Sequence, residues 1–172
     1  MAEETLRTLY IDELKDLLDA ETQLIKAIPK LAEASTSPEL RAGFEHHLEQ
    51  TKHHAARLET ILTGLGEKPK GKTCKGMKGI VEEGNEILGE DFEGALRDSG
   101  IISAAQRVEH YEIAAYGCVR DYAKLLGETN AVQSLEQTLA EEKATDQKLT
   151  ELAQTINRAA ASLGTTSRVA GA

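Results

Sequence analysis

The sequence predicts an all-α domain: a four-helix bundle whose long crossover carries one extra short helix. Three observations predict it. Apolar residues recur at three- and four-residue intervals nearly throughout the 172 residues, and no segment alternates with a period of two. The chain has four tyrosines, two phenylalanines and three prolines, too few for an aromatic-rich β-sandwich. Breakers gather in one stretch, Gly64 to Gly71, which divides the helical pattern into two hairpin pairs joined by a crossover. A chain of this length suits a single domain, placed at 1–162, and buries roughly 70% of the surface its unfolded form exposes.

The first helix aligns Leu6, Tyr10, Leu14, Leu17, Leu18, Glu21, Ile25 and Ile28 on one side. Pro29 lies inside this pattern and is expected to kink or loosen the helix near its end. Ser37-Pro38-Glu39 supplies an N-cap, a first-turn proline and an early acid for the second helix. Its facing positions are Leu40, Phe44, Leu48, Thr51, Ala55, Leu58 and Leu62. Beyond the loop, a short amphipathic helix over about 75–89 carries Met77, Ile80, Val81, Ile87 and Leu88. A third long helix, about 92–126, runs through Ile101, Ala105, Val108, Glu112, Ala115, Val119 and Leu126, and Gly127 stops it. The fourth, about 129–161, uses Leu135, Leu139, Glu142, Asp146, Leu149 and Ala153. From 163 to 172 the periodicity is lost, and a disordered tail is expected.

Carboxylates fall on these apolar stripes. At about 100° per residue, Glu21 shares the line of Leu14, Leu18, Ile25 and Ile28. Glu112 shares that of Ala105, Val108, Ala115 and Val119, while Glu142 and Asp146 continue Leu135, Leu139, Leu149 and Ala153. Folding the hairpins brings Glu21 level with about residue 51 and Glu112 level with about residue 142, so the acids cluster at one depth. Buried unpaired carboxylates cost several kcal/mol each, and no Arg or Lys shares these stripes. A pair of divalent ions neutralises them. Oxygen ligands with some imidazole suit iron or manganese, and zinc is also compatible.

On the second helix the central position is Thr51, flanked on neighbouring turns by His47 and His54, whereas His46 and His53 point away. The expected ligands are Glu21, Glu112, Glu142 and Asp146, joined by His47 or His54. Glu109 at a stripe edge, and Gln50 or Glu49 on the second helix, are weaker candidates. Tyr10, Tyr111 and Tyr116 read as packing residues with a polar tip, although a tyrosine beside a di-iron centre can donate an electron. His110 faces away from the core, Cys74 lacks a neighbouring His or Cys and reads as non-catalytic, and Lys68, Lys70, Lys72, Lys75 and Lys78 form a solvated loop.

A net charge of −9 argues against nucleic acid and anionic membranes as partners. No run of about 18 apolar residues exists to span a membrane, and the first residues lack the basic and apolar regions of a secretory signal. Two cysteines make no disulfide framework, so the cytoplasm is the expected location.

Four runs carry a resemblance: Asp-Glu-Leu-Lys-Asp-Leu-Leu-Asp-Ala-Glu (12–21), Phe-Glu-His-His-Leu-Glu-Gln-Thr (44–51), Ala-Ala-Gln-Arg-Val-Glu-His-Tyr-Glu-Ile-Ala-Ala-Tyr-Gly (104–117) and Thr-Leu-Ala-Glu-Glu-Lys-Ala-Thr-Asp-Gln-Lys-Leu-Thr (138–150). Over about 3–160 the sequence resembles the bacterial YciE/YciF-type stress proteins. The resemblance implies a ferritin-like fold, an association with stress, a di-metal centre inside the bundle and a homodimer. The sequence departs from the ferritin-like pattern in lacking Glu-x-x-His on the second and fourth long helices. The fourth instead has Glu142 and Asp146 one turn apart, and the second has Gln50 where related sequences often place an acid.

Two functions follow as expectations. The first is a protein with two metal ions per chain, iron foremost and manganese or zinc as alternatives, that handles dioxygen, peroxide or ferrous iron. It needs an external electron donor, because the chain has no Cys-x-x-Cys module. The second is a non-catalytic stress protein that binds metal, or another protein, through its helical surfaces. DNA protection is disfavoured by the charge and by the lack of a basic tail.

Overall fold

The computed structural model describes residues 5–70 and 72–169, with side chains as far as 162. Five helices follow in the expected order: α1 (Leu6–Ala34), α2 (Pro38–Gly64), α3 (Lys75–Gly89), α4 (Gly94–Leu126) and α5 (Thr129–Val169). The Thr5 hydroxyl accepts the Thr8 amide at 3.2 Å, and the Thr8 hydroxyl accepts the Thr5 amide at 2.9 Å, closing a capping box at the start of α1. That helix runs through Pro29 to Ala34. Ser37 caps α2, with Pro38 in its first turn. Gly127, at φ 75°, ends α4 in the left-handed region that a side chain would strain.

The helical backbone of α5 continues to Val169 instead of stopping near 161, so the expected tail from 163 is shortened. Once a helix is nucleated, each further residue closes another hydrogen bond, which offsets the weak propensity of Gly164-Thr165-Thr166-Ser167. Residues 170–172 of that expected tail lie outside the described residues.

The helices α1 and α2 form one hairpin, and α4 and α5 the other. The hairpins meet through α1 against α4 and α2 against α5, while α3 lies across α1 and α4 within the crossover. Cys74 caps α3, its Sγ accepting the Met77 amide at 3.4 Å and lying 3.0 Å from the Tyr111 hydroxyl. No helix among the described residues is long and apolar enough to cross a membrane.

One buried carboxylate fixes the first hairpin to the second. Asp98 on α4 accepts the Thr36 amide at 2.8 Å, the Ser37 amide at 2.8 Å and the Thr36 hydroxyl at 2.6 Å, all in the turn between α1 and α2. Removing it leaves two amides without an acceptor. Asp98→Ala is therefore expected to destabilise the fold by about 3 kcal/mol in chemical denaturation, since hydrogen bonds to charged groups are worth roughly 1.5–3 kcal/mol each. A change within ±0.5 kcal/mol would remove Asp98 from the stabilising set.

The core divides into two apolar halves. One gathers Leu24, Ile28, Leu40, Phe44, Met77, Ile101 and Leu149; the other gathers Tyr10, Leu14, Leu17, Leu58, Leu62, Tyr116, Val119 and Leu135. Between them lie the buried polar residues Glu21, His47, Thr51, His54, Glu109, Glu112, Thr138 and Glu142.

Candidate metal centre

Each helix delivers its share of this polar layer through its own periodicity. On α2 the buried positions from Leu40 through Phe44, His47, Thr51, His54 and Leu58 to Ile61 are spaced by alternating four and three, with Leu62 buried beside the last, so two histidines a heptad apart both face the bundle axis. On α5, Leu135, Glu142 and Leu149 repeat at seven-residue intervals along the inward line. On α4, which is covered by α1, α3 and α5, the buried arc is wide enough to hold both Glu109 and Glu112. Glu21 sits on α1 among Leu17, Leu18 and Leu24.

The side chains converge on Glu142. His54 Nδ1 lies 2.8 Å from Glu142 Oε1 and 3.6 Å from Glu21 Oε1. His47 Nε2 lies 3.7 Å from Glu142 Oε2 and 3.3 Å from Glu109 Oε1. Glu142 thus turns one oxygen toward each imidazole. Among the described residues, potential ligand atoms form two groups, each within 4.8 Å: His47, Glu109, Glu112 and Glu142 in one, Glu21, His54 and Glu142 in the other. Seven buried atoms of these six residues have no partner in hydrogen-bonding geometry: Glu21 Oε2, His47 Nε2, His54 Nδ1, Glu109 Oε2, Glu112 Oε1 and both oxygens of Glu142. Orphaned lone pairs aimed at one another cost several kcal/mol unless a cation or protons lie between them.

The atoms facing outward from the layer are satisfied. His54 Nε2 lies 2.8 Å from Glu141 Oε2. Arg57 grips the same carboxylate with two nitrogens, at 2.7 and 3.1 Å, and Gln137 adds a bond at 2.9 Å. His47 Nδ1 lies 3.2 Å from the Thr145 hydroxyl. The Tyr116 hydroxyl donates to Glu21 Oε1, and its ring stands edge-on to His54 with centroids 6.3 Å apart.

In the metal-free protein, protons must occupy this layer. Burial, then the charge of Glu142, pushes Glu21 up to about 8 against the opposing pull of His54 and Tyr116. Burial likewise raises Glu109 to about 7, although His47 beside it works the other way. Glu112 is raised well above the ordinary range by burial and by Glu142, Glu21 and Glu109. Burial depresses His47, but Glu109, Glu142 and Glu21 outweigh it and lift it to about 9. His54 also rises, its burial overcome by Glu142 and Glu21. Glu142 is lowered, because the two imidazoles outweigh its burial. Glu141 is held down at about 2, its partial burial overcome by Arg57, Gln137 and His54.

Five of the residues expected from sequence, Glu21, His47, His54, Glu112 and Glu142, are brought together, and the weaker candidate Glu109 joins them. Asp146 does not. It lies 40° past the line of Leu135, Glu142 and Leu149 at about 100° per residue. Its carboxylate turns to the α4 edge, 3.1 Å from Gln106 Nε2 and 3.3 Å from His110 Nε2. Gln50 is half-buried and lines a cavity with His46 and Lys148, and Glu49 is exposed with Lys52 at 2.6 Å. Arg57, Glu141 and Thr145 were not anticipated. The signal that finds them is a question put to each buried histidine: which neighbour takes the ring nitrogen that faces away from the acids.

Comparison with known proteins agrees with this architecture. The chain is 41% identical to Protein YciF of Escherichia coli (strain K12) over 150 residues, 87% of this chain and 90% of the relative. It superposes on the crystal structure of the E. coli stress protein YciF with a TM-score of 0.87 at 39% identity, covering 91% of this chain and 99% of that one. The structure of ferritin-like, diiron-carboxylate proteins from Bacillus anthracis str. Ames matches with a TM-score of 0.69 over 88% of this chain and 99% of that one; at 19% identity it shares the fold. A family model described as a domain of unknown function, DUF892, matches residues 5–162. With that match and its YciF relatives, the chain belongs to the DUF892 family and has a ferritin-like bundle.

Proposed function

We propose that this chain holds two divalent metal ions in the polar layer of its bundle and uses them to handle dioxygen, peroxide or ferrous iron. The observation that carries the reading is the convergence of seven orphaned ligand atoms, with Glu142 presenting an oxygen to each of two imidazoles. The charges close: four carboxylates balance two dications, while both histidines coordinate as neutral imidazoles. His47, Glu109 and Glu112 would hold one ion and Glu21 and His54 the other, with Glu142 within reach of both groups. Oxygen-rich ligands with one imidazole per ion suit iron first, with manganese and zinc compatible. Ferrous ions, when bound there, would supply the electrons for reducing dioxygen or peroxide, with an external reductant needed for turnover.

The chain's own residues set the conditions. Fewer side chains converge at the Glu21–His54 position, three against four at the His47 position. Tyr116 holds the Glu21 carboxylate by a hydrogen bond, and the two apolar halves of the core exclude bulk water from both ends. A homodimer in the cytoplasm, where Cys74 and Cys118 stay thiols, completes the reading.

The test is to load the protein with ferrous iron under anaerobic conditions and mix it rapidly with hydrogen peroxide or air-saturated buffer. Two irons per chain, oxidised with matching consumption of oxidant, are expected. Two ions held tightly with no consumption of either oxidant would favour the non-catalytic alternative instead.

A further inference from the structure

Bundle di-metal proteins draw one glutamate from each of two helices and a Glu-x-x-His pair from each of the other two. This chain keeps the single acids, Glu21 on α1 and Glu112 on α4, but both pairs are broken. On α2 the pair reads Thr51-x-x-His54, and on α5 it reads Glu142-x-x-Thr145. One carboxylate and one imidazole are missing, and both reappear one turn earlier along a helix of the same layer. Glu109 precedes Glu112 on α4, and His47 precedes Thr51 on α2. The ligand count is unchanged while its wiring differs.

We infer that Thr145 is a positioning residue that lets His47, reaching across from α2, stand in for the imidazole absent from α5. The inference rests on the di-metal reading above. The Thr145 hydroxyl has one proton, which it donates to the Glu141 carbonyl at 3.2 Å. Toward His47 Nδ1, also at 3.2 Å, it can then only accept. The proton of a neutral His47 is thereby fixed on Nδ1, and the lone pair falls on Nε2, the atom that faces Glu109 and Glu142. His54 is fixed in the opposite sense. Its Nε2 donates to the Glu141 carboxylate gripped by Arg57, and Nδ1 is left for the acids. The two imidazoles therefore approach the ion pair through different ring nitrogens, each chosen by a neighbour on α5.

Zinc titration of the full chain against a chromophoric chelator, with nitrogen-15 spectra of the histidine rings in the zinc-bound protein, tests this. Thr145→Val keeps the side-chain shape and removes the acceptor. It is expected to weaken one of two zinc ions by about ten- to a hundredfold, to shift the His47 ring resonances and to leave His54 unchanged. Thr145→Ser is expected to restore both readouts. His47→Ala is expected to lose that ion, and adding Thr145→His to the same chain is expected to regain it, because residue 145 follows Glu142 by the three-residue spacing. A double variant that folds yet binds a single ion would overturn the equivalence of positions 47 and 145. Two zinc ions held with equal affinity in wild type and Thr145→Val, with His47 spectra unchanged, would overturn the role of Thr145 and leave the di-metal reading standing. A wild-type chain that binds no zinc would overturn both.

Discussion

Glu142→Gln is expected to remove both ions, lowering metal content from two per chain to well below one while the bundle stays helical. Glu142 is the one residue common to both ligand groups, and its two oxygens face different imidazoles, at 2.8 and 3.7 Å. An amide keeps the shape but loses the charge, and its nitrogen cannot coordinate as a carboxylate oxygen does. By contrast, Glu112→Ala touches only the His47 group and is expected to lower metal content severalfold less than Glu142→Gln does. Helicity should survive both changes, because the apolar halves of the core lie on either side of the layer. Elemental analysis with far-ultraviolet circular dichroism measures the two quantities together. Equal metal content in Glu142→Gln and wild type would remove the shared ligand.

The second large effect is a reversal of pH dependence on metal binding. Glu21, Glu109 and Glu112 all stand above their ordinary 4.5 in the folded, metal-free protein. The stability they contribute is complete below 4.5 and is lost as pH rises through about 7 for Glu109 and about 8 for Glu21. His47, lifted from 6.5 to about 9, has the same sign: its contribution is complete below 6.5 and is lost as pH rises through 9. Glu142, lowered, acts in the opposite direction, and only as pH falls below 4.5. A pKa displaced by one corresponds to about 1.4 kcal/mol, so metal-free protein is expected to be several kcal/mol more stable near pH 5 than near pH 8. Bound ions need the deprotonated ligands, so saturating manganese or zinc should raise the melting temperature far more at pH 8 than at pH 5. Thermal melts with and without metal at both pH values decide it. A metal-induced shift equal at the two pH values would mean that the acids do not coordinate together.

The fold was legible because its signals are local and repeated. Ser37-Pro38 announced the start of α2, Gly127 the end of α4, and the breakers from Gly64 the crossover. The end of α5 was not, since helix propagation there outlasts the propensity of its residues. Within the site, Glu21, Glu112 and Glu142 were legible because each lies on the centre line of an apolar stripe. Asp146 misled because a four-residue step overshoots that line, and only the packing of α4 decides that its edge meets Gln106 and His110. Glu109 was undervalued for the converse reason: a helix covered on three sides buries a wider arc than one stripe. Arg57 and Glu141 are 84 residues apart in sequence, and no periodicity within either helix brings them to the same histidine.

The most direct measurement is an anomalous-scattering map of crystals grown from protein purified without chelators, with elemental analysis of the same sample. Two ions sharing Glu142 predict two peaks on either side of that carboxylate, one against His47, Glu109 and Glu112 and the other against Glu21 and His54. No peak in the polar layer, with the buried glutamates instead hydrogen-bonded to one another as acid and carboxylate, would contradict the reading.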